Sequence, residues 1–214
     1  MSRLDIKICG LKTEETLHAA LRHGATHVGF IHFPKSPRHL PVDALTGLAS
    51  SAPTHIGRVA VLVDPDDALI AALGASGAVS TLQLHGKETP QRAAEIAARS
   101  GLEIWKAISV KRAEDIASAA TYVDAVQRIL FDAKTPDGAD LPGGMGLRFD
   151  WTLLSNYRGV LPWALSGGLD PDNVAAAIRQ TSTPLVDVSS GVESTPGVKD
   201  VDKIAAFCKA VAAS

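Results

Sequence analysis

The chain has 214 residues, of which 46% are hydrophobic and 21% charged, and its formal net charge is −2. That length suits one good-sized core in one domain over residues 1–214, and the lack of a basic excess argues against nucleic acid or an anionic membrane as partner and for a small molecule. Met1-Ser2-Arg3-Leu4-Asp5 has no apolar h-region, no apolar run reaches the roughly 18 residues of a membrane span, and Cys9 and Cys208 lack metal or disulfide spacing, so a cytoplasmic protein with two free thiols is expected.

Leu4-Asp5-Ile6-Lys7-Ile8-Cys9-Gly10 reads as a strand ending on a thiol. With period two, Leu4, Ile6 and Ile8 pack under helices, while Asp5, Lys7 and Cys9 share a face that needs polar partners. Thr13 is a plausible cap for a helix to about His23, stopped by Gly24, and His27–Ile31 is a second strand. A loop through Pro34, Ser36, Pro37, Arg38 and Pro41 leads to a helix near Val42–Ser50 and then to a strand over Arg58–Val63. The pattern continues with helix Pro65–Leu73, strand Val79–His85, helix Glu88–Ser100, strand Glu103–Ile108, helix Lys111–Ala120 and strand Ile129–Asp132. A Gly- and Pro-containing loop over Thr135–Gly146 precedes a short helix near Trp151–Asn156. Strands Trp163–Leu165 and Leu185–Val188 close the series, followed by Gly-rich turns and helices near Pro171–Gln180 and Asp200–Ala212.

Eight strand–helix units of roughly 27 residues each favour a closed α/β barrel, the (β/α)8 or TIM barrel, over an open sheet. Chemistry in such barrels sits where strands end, which singles out a few residues. Cys9 is either a small buried hydrophobe or a reactive thiol, and Lys7 either favours its thiolate or neutralises Asp5 or another interior carboxylate. Asp132 can serve as an acid or pair with Arg128 or Lys134, and His85 can serve in acid–base chemistry or anchor its loop by a hydrogen bond. Arg38 can grip a carboxylate bidentately or stay solvated in its loop. Turns Leu165-Ser166-Gly167-Gly168-Leu169-Asp170-Pro171 and Asp187-Val188-Ser189-Ser190-Gly191-Val192-Glu193 follow the seventh and eighth strands, the usual phosphate site of this fold. Asp187 alternates with Ser189 toward the interior, where it can touch substrate or pair with Lys7.

Together, Lys7-Ile8-Cys9-Gly10, Gly29-Phe30, Ser36-Pro37-Arg38, Gln83-Leu84-His85-Gly86, Asp132, Phe149-Asp150-Trp151, the two Gly-rich turns, Asn173-Val174 and Gly197 with Lys199 and Asp200 resemble the phosphoribosylanthranilate isomerase family in order along the whole chain. One departure is Gly143-Gly144-Met145-Gly146, where the family usually has Gly-Gly-Thr-Gly. The resemblance implies an Amadori rearrangement of N-(5-phosphoribosyl)anthranilate to 1-(2-carboxyphenylamino)-1-deoxyribulose 5-phosphate in tryptophan biosynthesis, with no metal or organic cofactor. It implies Cys9 as general base and Asp132 as general acid, so that Asp132 must start protonated. Arg38 would hold the anthranilate carboxylate. Gly167, Gly168, Ser189, Ser190 and Gly191 would hold the phosphate, with His85, Gly144 and Asp187 as further substrate contacts. The expected partner is this small phosphorylated molecule, bound by a monomer or homodimer. Rival readings are the analogous histidine-pathway isomerase, against which Cys9 argues, a non-catalytic phosphate-binding barrel, and a ribulose-phosphate epimerase, for which clustered metal ligands are missing.

Overall fold

The structure, a computed structural model, describes residues 4–133, 143–144, 146–155 and 157–214. Eight parallel strands close into a barrel in chain order: β1 (Asp5–Cys9), β2 (His27–His32), β3 (Gly57–Leu62), β4 (Thr81–Leu84), β5 (Glu103–Val110), β6 (Arg128–Ala133), β7 (Trp163–Leu165) and β8 (Leu185–Val188). Around it lie α1 (Glu14–Arg22), α2 (Val42–Ser50), α3 (Asp67–Ser76), α4 (Pro90–Ser100), α5 (Ala113–Ala117), α6 (Val174–Thr181) and α7 (Val201–Ala212). The expected (β/α)8 barrel is therefore the observed one.

Alternation splits the strands as their sequence pattern predicts. Ile6, Ile8, Ile129 and Phe131 join the large cluster between barrel and helices. Cys9, Val59, Val61, Trp105, Ala107, Leu130, Ala164 and Leu185 form a second cluster inside the barrel. Parallel strands covered on both faces read as aliphatic runs, and this chain shows that in Val59–Leu62.

Helix starts follow their caps. Thr13 accepts from the Thr16 amide, Asp66 from Leu69 and Thr89 from Arg92, while Gly101 ends α4 in the left-handed conformation. α3 begins at Asp67 rather than Pro65 because Asp66 is its cap. α6 begins at Val174 rather than Pro171, since the Asp170 carboxylate accepts from the amides of Asp172 and Asn173 and holds a turn ahead of the helix. α5 is shorter than Lys111–Ala120: the Ser118 and Thr121 hydroxyls donate to carbonyls three residues back, and the chain tightens into a 3-10 helix over Ser118–Tyr122. Trp151–Leu154 is likewise a 3-10 turn instead of a helix to Asn156, which lies outside the described residues. A small antiparallel hairpin, β9 (Glu193–Thr195) with β10 (Val198–Lys199), was not anticipated and turns through Gly197 at φ +82°. Most of the Thr135–Gly146 loop, including Met145, lies outside the described residues, as do Lys134 and the first three residues. Among the described residues no helix is long and apolar enough to cross a membrane.

Candidate active site

Three buried polar groupings meet at the C-terminal rim of the barrel, each placed by a strand end. The first is on β1. Cys9 points into the barrel and is buried. Lys7, one inward position below, is fully buried, and its Nζ lies 2.9 Å from Asp187 Oδ1, its register partner on β8. The interior carboxylate that Lys7 neutralises is thus Asp187, not Asp5. Asp187 also accepts from the Ser166 hydroxyl at 3.3 Å, so it links β8 to the loop after β7. Gly29 stands opposite Cys9 on β2, and a Cβ there would fall 2.9 Å from Cys9 Sγ and 3.2 Å from Lys7 Cε. The missing side chain is what lets thiol and ammonium share that space. Burial pushes the Cys9 thiol above its ordinary value, against the pull of the Lys7 and Lys199 ammoniums. Burial would lower the Lys7 ammonium, but Asp187 and Cys9 together hold it above its ordinary value.

The second grouping is on β6 and β4. Asp132 Oδ1 accepts from the Ala133 amide at 2.8 Å, and Oδ2 lies 3.3 Å from His85 Nε2. That contact is within ion-pair distance, yet among the described residues Nε2 has no aligned hydrogen-bond partner. Gln83, below His85 on the same face, makes a long 3.5 Å hydrogen bond with its Nδ1. Arg128 does not pair with Asp132: its guanidinium lies 4.9 Å over the Trp105 ring, lower in the barrel. Gly167, at φ +87°, leaves room for the acid, since a Cβ there would sit 3.0 Å from Asp132 Oδ1.

The third grouping corrects the expectation for Arg38. It is neither solvated nor a free fork. Its Nε and Nη2 donate to the two oxygens of Glu193 at 2.7 and 2.8 Å, Nη2 also reaches the Gly144 carbonyl at 3.1 Å, and the residue is only 3% exposed. The bidentate carboxylate is therefore the protein's own, although the side chain still lines the cavity. Lys199 Nζ donates to Glu193 Oε1 at 2.6 Å and to the Ser189 carbonyl at 3.0 Å, while the Ser189 hydroxyl donates to the Cys9 carbonyl at 3.2 Å. Burial raises the Glu193 carboxyl, but Arg38 and Lys199 outweigh it and hold it below its usual range. Two cations thus share one buried carboxylate, which leaves a net positive charge beside the cavity for an anionic ligand.

One cavity collects these groups. Its lining includes the predicted Cys9, Arg38, His85, Asp132, Gly144, Gly167, Gly168, Asp187, Ser189 and Ser190. Gly191 does not line it. A Cβ at Gly191 would overlap the Leu169 carbonyl, so this glycine allows the loops after β7 and β8 to pack against each other. Asn173 holds the first of these loops, donating to the Gly168 carbonyl at 2.9 Å. Apolar walls from Ile31, Phe33, Val61, Val63 and Leu169 complete the pocket. Glu193 and Lys199 stand in the motifs that carry the resemblance but receive no role from spacing; only their meeting with Arg38 shows one. Among the described residues no three His, Cys, Asp or Glu side chains are grouped to hold a metal ion.

The model of the N-(5'-phosphoribosyl)anthranilate (PRA) isomerase family matches residues 6–210. An N-(5'-phosphoribosyl)anthranilate isomerase of Zymomonas mobilis subsp. pomaceae is 51% identical over 206 residues, 96% of each chain. A crystal structure of a phosphoribosyl anthranilate isomerase in complex with reduced 1-(o-carboxyphenylamino)-1-deoxyribulose 5-phosphate superposes with a TM-score of 0.85 at 32% identity, covering 99% of this chain and 100% of that one. A structure of monomers generated from the dimeric enzyme of Thermotoga maritima gives a TM-score of 0.84 at 34% identity, with 99% and 100% coverage. With a barrel, a rim of buried acid–base groups and this match over nearly its full length, the chain belongs to the phosphoribosylanthranilate isomerase family.

Proposed function

We propose that Cys9 is the general base and Asp132 the general acid of the Amadori rearrangement of N-(5-phosphoribosyl)anthranilate, the isomerisation this family contributes to tryptophan biosynthesis. Asp132 in its acid form protonates the furanose ring oxygen as the C1–O bond breaks and the anthranilate nitrogen lone pair forms the C1 iminium. The iminium acidifies the C2 proton, which passes to the Cys9 thiolate while its electron pair gives the enolamine. Proton delivery to C1 and loss of the 2-hydroxyl proton then yield the ketose. Burial, with Asp187 adding to it, outweighs Lys7 and Lys199 and holds the Cys9 thiol above its ordinary value, so the thiolate that takes the proton is the minority form.

The observation that carries the reading is that a buried thiol and a buried carboxyl, on strands 1 and 6, line one cavity beside a net positive cluster. Arg38 addresses the anthranilate carboxylate, the apolar walls take its ring, and the loops after β7 and β8 take the phosphate at Gly167, Gly168, Ser189 and Ser190. His85, Gly144 and Asp187 complete the contacts. The reading includes a single barrel domain working as a monomer or homodimer in the cytoplasm, where buried, unbridged Cys9 and Cys208 stay reduced.

The test is turnover of the labile substrate, generated in situ, by chelator-treated wild type, Cys9→Ser and Asp132→Asn, alongside binding of a reduced product analogue. Turnover by the wild type, its loss in both variants and retained analogue binding are expected. Binding without wild-type turnover would make the protein a non-catalytic barrel, and full activity in either variant would remove that residue from its role.

A further inference from the structure

We propose that Glu88 and Lys106, neither of which lines the cavity, form a positioning clamp that holds His85 against Asp132. The proposal rests on the reading of Asp132 as the acid and deepens it. His85 is the first residue beyond β4; among the described residues its Nε2 approaches Asp132 without an aligned hydrogen bond, and its Nδ1 has one long contact, 3.5 Å from Gln83 Nε2. Two such weak contacts leave much of its placement to the backbone on either side.

That backbone is tied at nearly every polar group. Lys106 lies on β5, and its Nζ donates to the Gly86 carbonyl at 2.8 Å and, more weakly, to the Leu84 carbonyl at 3.4 Å, bracketing His85. The same ammonium lies 2.9 Å from Glu88 Oε2. Glu88 accepts from the Gly86 amide at 3.0 and 3.1 Å with its two oxygens and from the Asp64 amide at 2.8 Å, while the His85 amide donates to the Leu62 carbonyl at 2.8 Å. Asp64 has φ +44°, a left-handed conformation uncommon for a residue with a Cβ, and its carboxylate accepts from the Lys87 amide at 2.7 Å. Tyr122 donates to the Glu88 carbonyl at 2.8 Å, which links the clamp to the 3-10 turn after α5.

The ion pair is almost wholly removed from water, with side-chain exposures of 5% for Lys106 and 1% for Glu88. Such a pair adds little stability over an apolar replacement of the same shape, because desolvation offsets the attraction. What the charged pair does supply, and an apolar one cannot, is donors and acceptors aimed at both peptides that flank His85. Its role is therefore geometric: it keeps the imidazole over the carboxyl that must deliver a proton.

A double-mutant cycle tests this. Glu88→Gln/Lys106→Met removes both charges together, so neither is left buried alone, and it is made in the wild-type and in the His85→Ala background. In the wild-type background kcat is expected to fall about 10- to 100-fold, the scale of a small misplacement in an active site, with KM changed less than about threefold. In the His85→Ala background the same pair of substitutions should change kcat by less than about twofold, because the residue through which they act is gone. An equal fall in both backgrounds, or an unchanged kcat in the folded variant, overturns the clamp. Should the double variant not fold, Lys106→Arg, which keeps the charge but alters the reach of the donors, enters the same cycle with the same criteria. The imidazole NMR signals of His85 in the free enzyme separate this from the acid assignment. One sharp set in the wild type and broadened or multiple sets in the clamp variant support the clamp even where Asp132→Asn stays active, whereas identical sets overturn it.

Discussion

The two ends of the barrel interior solve opposite problems. At the C-terminal rim, charged side chains are buried in matched sets: Lys7 with Asp187, Arg38 and Lys199 with Glu193, and Asp132 beside His85. At the N-terminal end the interior is plugged by Trp105, fully buried, with the His27 ring 5.2 Å away and the Arg128 guanidinium stacked above it. Here, among the described residues, Arg128 Nε has no hydrogen-bond partner, and Trp105 packs with Val59, Leu130 and Leu185 as well as the His27 ring. Buried charges and titratable groups are concentrated at the rim, and close packing of large side chains at the floor. A substitution at one end should therefore move one property and spare the other.

The largest effects expected are at the rim. Cys9→Ser and Asp132→Asn should each lower kcat about 10²- to 10⁴-fold, the range of general acid–base catalysis, while shifting unfolding free energy by no more than about 1 kcal/mol. Steady-state assays with urea titrations measure both, and a variant that loses stability in step with activity breaks the comparison. At the floor, Trp105→Ala should cost about 3–5 kcal/mol of stability. Its kcat/KM per folded molecule should stay within about threefold of wild type.

A smaller floor effect comes with acid. Burial holds the His27 imidazole down at about 4 against an ordinary 6.5. Between those values the unfolded chain binds a proton that the folded chain refuses, so stability falls as pH drops through this window and His27 adds no slope above it. The loss approaches about 3 kcal/mol near pH 4, at about 1.4 kcal/mol per unit. Unfolding titrations of His27→Gln should show a flatter stability profile between pH 4 and 6.5, with kcat at pH 7.5 unchanged; a profile parallel to wild type would deny the burial of this ring any cost. The smallest effect sharpens the rim. Arg38→Lys keeps the charge but cannot fork Glu193 and address the cavity together, so KM should rise about 10- to 100-fold with little change in kcat. A fall confined to kcat would instead place Arg38 in the chemical step.

The barrel was legible in the sequence because alternation within strands and caps before helices are local signals, as in Asp5–Cys9 and Thr13. The same alternation put Cys9, Asp132, His85 and Asp187 on the inner face. What sequence could not show is pairing across the chain. Arg38 and Glu193 are 155 positions apart, and only closure of the barrel reveals that the fork expected for a substrate is filled by the protein. The hairpin that brings Lys199 back to Glu193 is two and three residues long, too short for a periodic signal. Gly191, in a phosphate-loop motif by sequence, turned out to be a packing glycine, because backbone proximity to Leu169 leaves no trace in residue type.

The division of labour at the rim is tested most directly by the kinetic isotope effect of substrate deuterated at C2. If Cys9 removes that proton and Asp132 opens the ring, Cys9→Ser makes proton abstraction limiting and shows a large primary effect on kcat. Asp132→Asn makes ring opening limiting, and its effect collapses toward unity. The reverse pattern, or the same effect in both variants, would contradict the assignment of base and acid.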